Sequence, residues 1–276
     1  MKHSLKLLLI YFFVNNTFGQ FKIKGNVNFP SQKYKSEILD KTKQNIYYSY
    51  VYSPNTNEKA KTSLTILQIG QNYSKFTDVF LLKNDSLDKQ FSLLKKLGIK
   101  DLNKVVSIKS KIEFKKSVIK NLSIDSITVQ GKILSTKYEY KEKAPILKWQ
   151  LTNEGKTILD YKVKKAVINY SGRKWIAWYT EEIPINLGPY VFGNLPGLIL
   201  ELYDDKKNFH FTAVGMDNKE EEIYKRIEKK IIKTRKKDFF KAERNFHEKP
   251  ELFVRATIRG GGNFKKKAYS PIEIID

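Results

Sequence analysis

The chain has 276 residues, of which 41% are hydrophobic and 13% aromatic, which is enough apolar material for a sizeable core and excludes a globally disordered chain. Its 52 lysines and arginines exceed its 29 acidic residues and give a net charge of +23. Because the lysines are spread along the whole chain between apolar residues, this charge is more typical of solvated strand faces than of a nucleic-acid interface. The absence of cysteine excludes disulfides, thiolate chemistry and a lipid-modified N-terminal cysteine.

Residues 1–19 have the pattern of a secretory signal peptide. Lys2 and Lys6 give a basic start, the apolar run LLLIYFFV is too short to span a bilayer, and small residues precede Gln20. We therefore expect residues 1–19 to be removed on export, to the periplasm or the extracellular space. Residues 20–276 are expected to form a single domain, and no later apolar run approaches the length of a transmembrane helix.

The first half of the chain alternates apolar and polar residues in short runs, which predicts strands. The segment 30–44 is polar and is predicted to be a loop or a short helix. The residues Gly70, Gln71 and Asn72 separate two apolar runs and indicate a hairpin. The strands predicted here, in chain order, cover residues 21–29, 45–53, 63–69 and 73–82.

One amphipathic helix of about three turns is predicted after these strands. Either Asp85 or Ser86 is expected to be its N-cap, and Gly98 ends it. We expect this helix to pack across a sheet, and residues 101–115 to hold at most one short helix. Its apolar residues are spaced by three or four, at Leu87, Phe91, Leu94 and Leu97.

The second half of the chain again predicts strands, followed by a helix at 236–247. Turns are predicted at 153–155 and at Ser171–Gly172, and 220–233 fits either a helix or a strand. The predicted strands cover residues 126–134, 136–140, 146–152, 161–169, 173–180, 198–203 and 209–214. Short strands joined by hairpin turns predict a mainly β fold: a large, curved antiparallel sheet or open barrel with one or two packed helices. A parallel α/β fold is excluded because helices do not alternate with strands.

The sequence contains no pattern that predicts catalysis, a metal or a cofactor. His210 and His247 lack a second ligand at metal-binding spacing and are interpreted as structural or surface residues. Glu181 and Glu182 follow Trp178, and acids beside aromatic residues fit a sugar-cleaving site. Adjacent residues of a strand face opposite ways, however, so a solvated turn is the favoured interpretation.

The stretch around two tryptophans holds the candidate binding residues. On an extended strand Trp175 and Tyr179 point to one face and Trp178 points to the other. Arg173 begins the same predicted strand. The sequence therefore predicts a binding role for Arg173, Trp175, Trp178 and Tyr179, by analogy with aromatic-lined ligand sites.

A turn-rich segment follows and is predicted to be a bend that specifies the fold. Gly188–Pro189 and Gly193–Asn194 are expected to form sharp turns. Pro196 should begin a strand or lie on a bulge, and Gly197 should admit another backbone or a large ring, with Trp175 or Trp178 as its candidate neighbour. The full set of predicted structural residues is Gly188, Pro189, Gly193, Asn194, Leu195, Pro196, Gly197, Leu198 and Ile199.

These residues resemble the GLPGLI family, exported proteins of Bacteroidetes-type bacteria. Asn194 to Ile199 match the name-giving motif with Asn194 in place of its first glycine, and Val163 stands where relatives often have a cysteine. The resemblance extends to Pro271–Ile272–Glu273 and covers nearly all of residues 20–276. It implies an exported protein of unsettled activity, and it carries over no catalytic residues. It also implies outer-membrane uptake components as partners.

Three functions are compatible with the sequence. The first is a non-enzymatic envelope protein with a binding or accessory role, for which an aromatic-lined sheet face is expected and envelope glycans are a candidate ligand. The second is a glycan- or peptide-directed hydrolase that uses scattered carboxylates, for which two carboxyl groups in one cleft are expected. The third is a polyanion-binding surface protein, for which a contiguous basic face is expected. No nucleic-acid partner is expected.

Overall fold

The structure is a computed structural model that describes residues 29–54, 59–251 and 269–275. The expected signal peptide and most of the strand predicted at 21–29 lie outside these residues. The strands are β1 (Phe29–Pro30), β2 (Ser36–Lys41), β3 (Gln44–Tyr52), β4 (Lys61–Ile69), β5 (Tyr73–Asp78), β6 (Lys96–Leu97), β7 (Lys116–Asn121), β8 (Ser126–Ile133), β9 (Thr136–Lys143), β10 (Gln150–Ile158), β11 (Tyr161–Tyr170), β12 (Arg173–Thr180), β13 (Leu198–Asp204), β14 (Phe209–Asp217), β15 (Glu222–Arg226) and β16 (Ile231–Lys233).

Three helices accompany these strands within the described residues. They are α1 (Val79–Phe91), α2 (Ile99–Lys109) and α3 (Lys236–Glu248). The predicted helix at 236–247 is confirmed by α3, and the short helix predicted within 101–115 corresponds to α2. In the described part of the chain, no helix has the length and apolar character needed to cross a membrane.

Twelve of the strands form one large sheet that does not close into a barrel. Its strand order is β10-β11-β12-β13-β14-β3-β4-β5-β7-β8-β9-β16. All neighbours are antiparallel except β16, which lies parallel to β9. The sheet thus consists of two runs of antiparallel strands, most of them joined by hairpins, that meet where β14 pairs with β3. This confirms the predicted mainly β fold with a large, curved antiparallel sheet, in its open form.

The inner face of the sheet carries the core. We call inner the face on which Tyr48, Phe76 and Phe211 point, because these side chains are at most 1% exposed. The rings of Phe76 and Phe211 lie 5.7 Å apart although they come from distant strands. Helix α3 packs on the same face, where Phe239 lies 5.5 Å from the ring of Tyr140. Alternation along each strand therefore buries one set of aromatic side chains in a single core.

Only one part of the outer face of the sheet, around β4 and β5, is covered by other elements. Helix α1 packs on β4 and β5, and the ribbon of β2 and β15 packs on β5. Lys75 joins ribbon and sheet, because its Nζ donates to the carbonyl of Tyr224 at 3.0 Å. The outer face of β11 to β14 and β3 instead presents partly exposed side chains such as Tyr203, Thr212 and Ser49. We call this part of the sheet, which neither α1 nor the ribbon covers, the open outer face.

Two predicted elements in the first half differ from the structure. Residues 36–41, predicted as loop or short helix, form β2 and pair with β15. Helix α1 begins at Val79 and not near Ser86, and residues 79–82 are helical where a strand was predicted. The reason is Asp78, whose side chain accepts a hydrogen bond from the backbone N–H of Phe80 at 2.8 Å and caps the helix.

One prediction in the second half is also corrected, and one open alternative is resolved. The turn predicted at 153–155 lies inside β10, at a register shift between Leu151 and Gly155. The turn that follows β10 falls instead at Leu159 and Asp160, both with positive φ (49° and 65°). Segment 220–233 forms two short strands and not a helix. The hairpin at Ser171–Gly172 is confirmed, with φ values of 45° and 72°.

Candidate functional site

The predicted bend is a tight loop between β12 and β13. Asn194 has a φ of 63°, the left-handed conformation that asparagine tolerates. Trp149 Nε1 donates to the carbonyl of Gly193 at 2.8 Å and fixes the loop to the start of β10. A Cβ added to Gly188 would come within 2.8 Å of Ile199. Backbone geometry and close packing therefore hold these residues in a bend.

Gly197 is the position where the bend meets the sheet most closely. A Cβ at this position would lie 1.9 Å from the carbonyl oxygen of Thr180. The predicted close approach is therefore made by the backbone that ends β12, and neither Trp175 nor Trp178 supplies the nearest atom. Leu198 and Ile199 follow with no exposed surface, and the Ile199 carbonyl accepts a hydrogen bond from Tyr48 at 2.7 Å.

Three of the four predicted binding residues lie away from the open outer face. Arg173 pairs with Asp204, Nη1 to Oδ2 at 2.8 Å, and its Nη2 donates to the carbonyl of Pro271 at 2.6 Å. Trp175 is fully buried, and its ring lies 4.6 Å from that of Phe192. Tyr179 is 1% exposed on the inner face. Trp175 and Tyr179 therefore lie in the core, and Arg173 holds segment 269–275 in place.

Trp178 is the predicted binding residue that lies on the open outer face. It stands directly opposite Glu201 on β13, Glu201 stands opposite Thr212 on β14, and Thr212 stands opposite Ser49 on β3. These four side chains form one row across four strands, because residues in register share a face. His210 lies beside the row on β14.

Two lysines complete this site. Lys156 on β10 places its Nζ 4.4 Å from the Trp178 ring centroid and forms an ion pair with Glu201. Lys165 on β11 lies 6.0 Å from the same ring and pairs with Glu154 at 2.7 Å. The two ammonium groups thus lie over the indole ring, and Trp178 is 8% exposed. We refer to Lys156, Lys165, Trp178, Glu201, His210 and Thr212 together as the outer-face patch.

Glu201 is the electrostatic centre of the outer-face patch. It accepts from Lys156 and contacts His210 Nε2 at 2.8 Å. Burial alone would raise the pKa of the Glu201 carboxyl, but the hydrogen bonds from His210 and Lys156 outweigh burial, and the pKa is lowered. The group is therefore a carboxylate at neutral pH and acts as a hydrogen-bond acceptor.

The chemistry of the outer-face patch is that of recognition. It combines an aromatic ring with a carboxylate, a hydroxyl on Thr212 and an imidazole. Its two lysines are already paired with Glu201 and Glu154, so the patch offers hydrogen-bonding groups with its charges largely balanced. Such a surface can stack on an apolar ring face and bind hydroxyl groups.

A second polar cluster lies inside the protein. Glu273, which is 1% exposed, accepts from Ser171 Oγ at 3.0 Å and from Tyr190, and pairs with Lys236 Nζ at 2.5 Å. Lys236 also pairs with Glu142 at 3.0 Å. This cluster holds segment 269–275 against the loop before β13.

The acids next to Trp178 in the sequence are exposed, as the favoured interpretation predicted. Glu181 pairs with Lys164 Nζ at 2.7 Å, and Glu182 accepts from the backbone N–H of Lys162 at 2.9 Å. His247 lies on α3 and contacts the ring of Tyr269 at 5.4 Å. Within the described residues, no three His, Cys, Asp or Glu side chains gather to form a potential metal site.

Surface cavities occur among the described residues, and two of them are relevant here. One, of about 480 Å³, lies between α1 and the outer face of β3 and β4. The other, of about 430 Å³, lies beside segment 269–275 and is lined in part by Arg173 and Arg244. Neither is lined by the carboxylates that share Lys236.

Sequence reasoning missed Lys156, Glu201 and Thr212 as members of the site. Lys156 resembles the other lysines of exposed strands, and nothing local marks it. Glu201 did carry a signal, because it is an acid in the middle of the apolar run LILELY, and a buried acid requires partners. His210, interpreted as structural or surface, is in fact one of those partners.

Comparison with known proteins finds one family model that matches part of the chain. The model described as "N-glycanase peptide, N-terminal domain" matches residues 135–240. This segment is less than half of the chain, and it contains every residue of the outer-face patch. No curated protein matches the sequence significantly.

Two solved structures are similar to this chain at low sequence identity. Both are of PNGF-II, in crystals of space groups P21 and C2, with identities of 14% and 15% and TM-scores of 0.45 and 0.44. Each covers 74% of this chain, but only 33% and 32% of the solved chains are covered. The chain therefore spans about a third of the length of these structures.

Proposed function

We propose that this chain is an exported glycan-binding protein of the cell envelope with a non-enzymatic, accessory role, and that the outer-face patch is its binding surface. The observation that carries the proposal is the position of Trp178 on the open outer face, in register with Glu201 and Thr212 and next to Lys156. Aromatic rings with a few placed polar groups are the usual lining of small-molecule sites.

A sugar fits this arrangement for a physical reason. The C–H face of a pyranose ring is apolar and stacks on indole, while its hydroxyl groups donate to a carboxylate and accept from an ammonium group or a threonine. Lys156 is on the edge strand β10 and its side chain is 38% exposed, so it can rotate away from Trp178 when a ring arrives. Glu201 is held in place by His210 and remains as the acceptor.

The family match supports a glycan as the ligand class. The matching model is named for the N-terminal domain of an N-glycanase peptide, and its matched residues include the whole outer-face patch. The balanced charges of the patch favour a glycan over a polyanion as the ligand, since a polyanion site would expose unpaired cations.

Export and family membership are parts of the same proposal. Residues 1–19 have signal-peptide features, and residues 20–276 form the proposed single domain. The motif ending in Leu198–Ile199 supports membership of the GLPGLI family. Envelope glycans, or outer-membrane uptake components that carry them, are the proposed partners.

The state of the carboxylates favours binding over hydrolysis. A glycosidase needs two carboxyl groups on either side of one bond, one of which is an acid. Glu201 has a lowered pKa and pairs with Lys156. Elsewhere, Glu142 and Glu273 are both bound to Lys236.

The proposal is tested with residues 20–276 on an array of bacterial envelope and N-linked glycans, followed by calorimetric titration of the glycans retained. Trp178→Ala and Glu201→Gln should each weaken binding at least about tenfold, a loss of about 1.4 kcal/mol or more. Lys143→Ala, at an exposed position at the end of β9, should bind like the unmodified chain. Circular dichroism establishes that each variant is folded.

Two results would overturn the proposal. One is the absence of any retained glycan, or retention that Trp178→Ala and Glu201→Gln leave unchanged. The other is release of shortened glycan products during the incubation, detected by chromatography, which would make the chain a hydrolase.

A further inference from the structure

The row that contains Trp178 continues across the sheet in a straight line. Trp178, Glu201, Thr212 and Ser49 occupy four adjacent strands in direct register. Three strand spacings of about 4.8 Å separate the first from the last, so the row is about 14 Å long. Thr212 and Ser49 are half-buried and end in hydroxyl groups, which gives the row hydrogen-bonding capacity along its length.

The row leads to the cavity under α1. Tyr47 lies two residues from Ser49 on the same face of β3 and lines this cavity together with Ile66, its partner on β4. The wall formed by α1 contributes apolar side chains such as Leu82 and Leu87. The cavity volume of about 480 Å³ lies within the range of small-molecule sites, about 300–1,000 Å³.

A gap in the side chains of β14 lies beside the end of the row and the mouth of this cavity. A register shift in β14 between Ala213 and Gly215 places Gly215 directly opposite Tyr47. A Cβ built on Gly215 would meet no atom within 4 Å. Gly215 on β14 therefore leaves open space beside Tyr47, at the β14 side of the cavity mouth.

The cavity repeats the chemistry of the outer-face patch. Tyr47 offers a half-buried ring, and its hydroxyl donates to Asp217 Oδ2 at 2.9 Å. Burial and this hydrogen bond raise the pKa of Tyr47 to about 12, so the ring stays neutral at physiological pH. Lys83, Ser86 and Glu221 supply polar groups around the apolar wall. A second sugar ring finds here an aromatic face and hydroxyl partners, as at Trp178.

We infer that the ligand is an extended oligosaccharide that lies across β12, β13, β14 and β3, with one end on Trp178 and the other in the cavity beside Tyr47. This inference rests on the proposed function, and it adds the length and path of the ligand. The occupant of the cavity is the far end of the same oligosaccharide, because the row ends at Ser49, two residues from Tyr47 on the same face of β3, and Gly215 leaves the space beside Tyr47 open. A monosaccharide reaches only one of them.

The test uses two probe series, β-1,4-linked N-acetylglucosamine oligomers and mannose oligomers, each from monomer to hexamer. Affinity measured by calorimetry should rise with length in at least one series, and the hexamer should bind at least about tenfold more tightly than the dimer. Gly215→Leu fills the gap and should reduce hexamer binding to the level of the dimer while dimer binding is unchanged. Lys143→Leu, which adds the same side chain at an exposed position far from the row, should have no effect.

The outcomes separate the inference from the proposed function. Binding that is lost in Trp178→Ala but is equal for all lengths and unaffected by Gly215→Leu would overturn the inference and leave the proposed function standing. Displacement of a fluorescent fatty-acid probe that binds beside Tyr47, without any effect of oligomer length, would assign the cavity to an apolar ligand and also overturn it. Failure of every oligomer to bind would overturn the inference, and together with an empty glycan array it would overturn both.

Discussion

Arg173 and Asp204 form a buried ion pair, with Nη1 2.8 Å from Oδ2 and side chains that are 6% and 0% exposed. Removal of one partner leaves the other charged, buried and uncompensated. We therefore expect Arg173→Ala to lower the free energy of unfolding by about 3–5 kcal/mol, measured by urea denaturation. Part of this loss comes from segment 269–275, which Arg173 holds through the Pro271 carbonyl.

An exposed ion pair on the same sheet provides the control. Lys164 and Glu181 lie 2.7 Å apart with side chains 58% and 47% exposed, and Lys164→Ala should cost less than about 1 kcal/mol. Equal losses for the Arg173 and Lys164 variants would contradict a structural role for the buried pair.

Gly197 and Gly215 make a matched pair for a test of close packing. A Cβ at Gly197 would overlap the carbonyl oxygen of Thr180 at 1.9 Å, whereas a Cβ at Gly215 would meet nothing within 4 Å. Gly197→Ala should therefore destabilise the protein by about 3 kcal/mol or more, and Gly215→Ala by less than about 1 kcal/mol. Thermal unfolding of both variants checks this, and a Gly197→Ala protein as stable as the Gly215→Ala protein would show that the bend does not depend on backbone contact.

Lys75 should make stability increase with pH in the alkaline range. Burial lowers the pKa of Lys75 to about 8 from an ordinary value of 10.5, although Asp85 opposes the shift. Between these two values the unfolded chain binds more protons than the folded one, so the free energy of unfolding rises with pH through this window. At about 1.4 kcal/mol per pKa unit, the full rise is on the order of 3–4 kcal/mol.

The comparison with Lys75→Met isolates this effect from the titration of other groups, such as Arg226 and Tyr224 nearby. Urea denaturation at several pH values between about 7.5 and 10 should show a rise for the unmodified protein that the variant lacks. Parallel curves for the two proteins would mean that Lys75 keeps its ordinary pKa.

Glu273 should be needed to hold segment 269–275 in place. Glu273→Gln removes the negative charge that Lys236 contacts at 2.5 Å and weakens the hydrogen bonds from Ser171 and Tyr190. We expect a loss of about 2–3 kcal/mol in denaturant unfolding, smaller than for Arg173→Ala because Glu142 still pairs with Lys236. Glu182→Gln, at an exposed carboxylate, should leave stability unchanged, and a similar loss in both variants would refute the special role of Glu273.

Local sequence signals predicted the strands where a hairpin connects neighbours. The turn at Ser171–Gly172 joins β11 and β12 directly, so alternation on either side of it placed Trp175 and Trp178 on opposite faces. The start of α1 could not be predicted in this way. Residues 79–82 are apolar and fit a strand, and Asp78 caps the helix only because a buried position holds its carboxylate next to the Phe80 N–H.

The candidate site was predictable only in part for a similar reason. Alternation gives the face of Trp178, but its neighbour Glu201 follows the long connection 181–197, and its pairing depends on tertiary structure. Lys156, which lies over Trp178, follows directly after the register shift in β10, where a turn was expected at 153–155. Long-range register thus decides which side chains surround the indole, and no local pattern carries that information.

The pairing of β3 with β14 has a consequence for how the protein folds. Most neighbouring strands within each half of the main sheet are joined by hairpins, which form quickly because their ends are close in sequence. The pairs β5–β7 and β12–β13 are the exceptions and have longer connections. The seam between the halves joins residues 44–52 to 209–217, and closing so long a loop carries the larger entropic cost. We expect formation of this seam to limit the folding rate. Two fragments made by cutting the connection 144–149 would meet at this seam and where β2 pairs with β15 and β9 pairs with β16, so their association measures how strongly the halves cooperate.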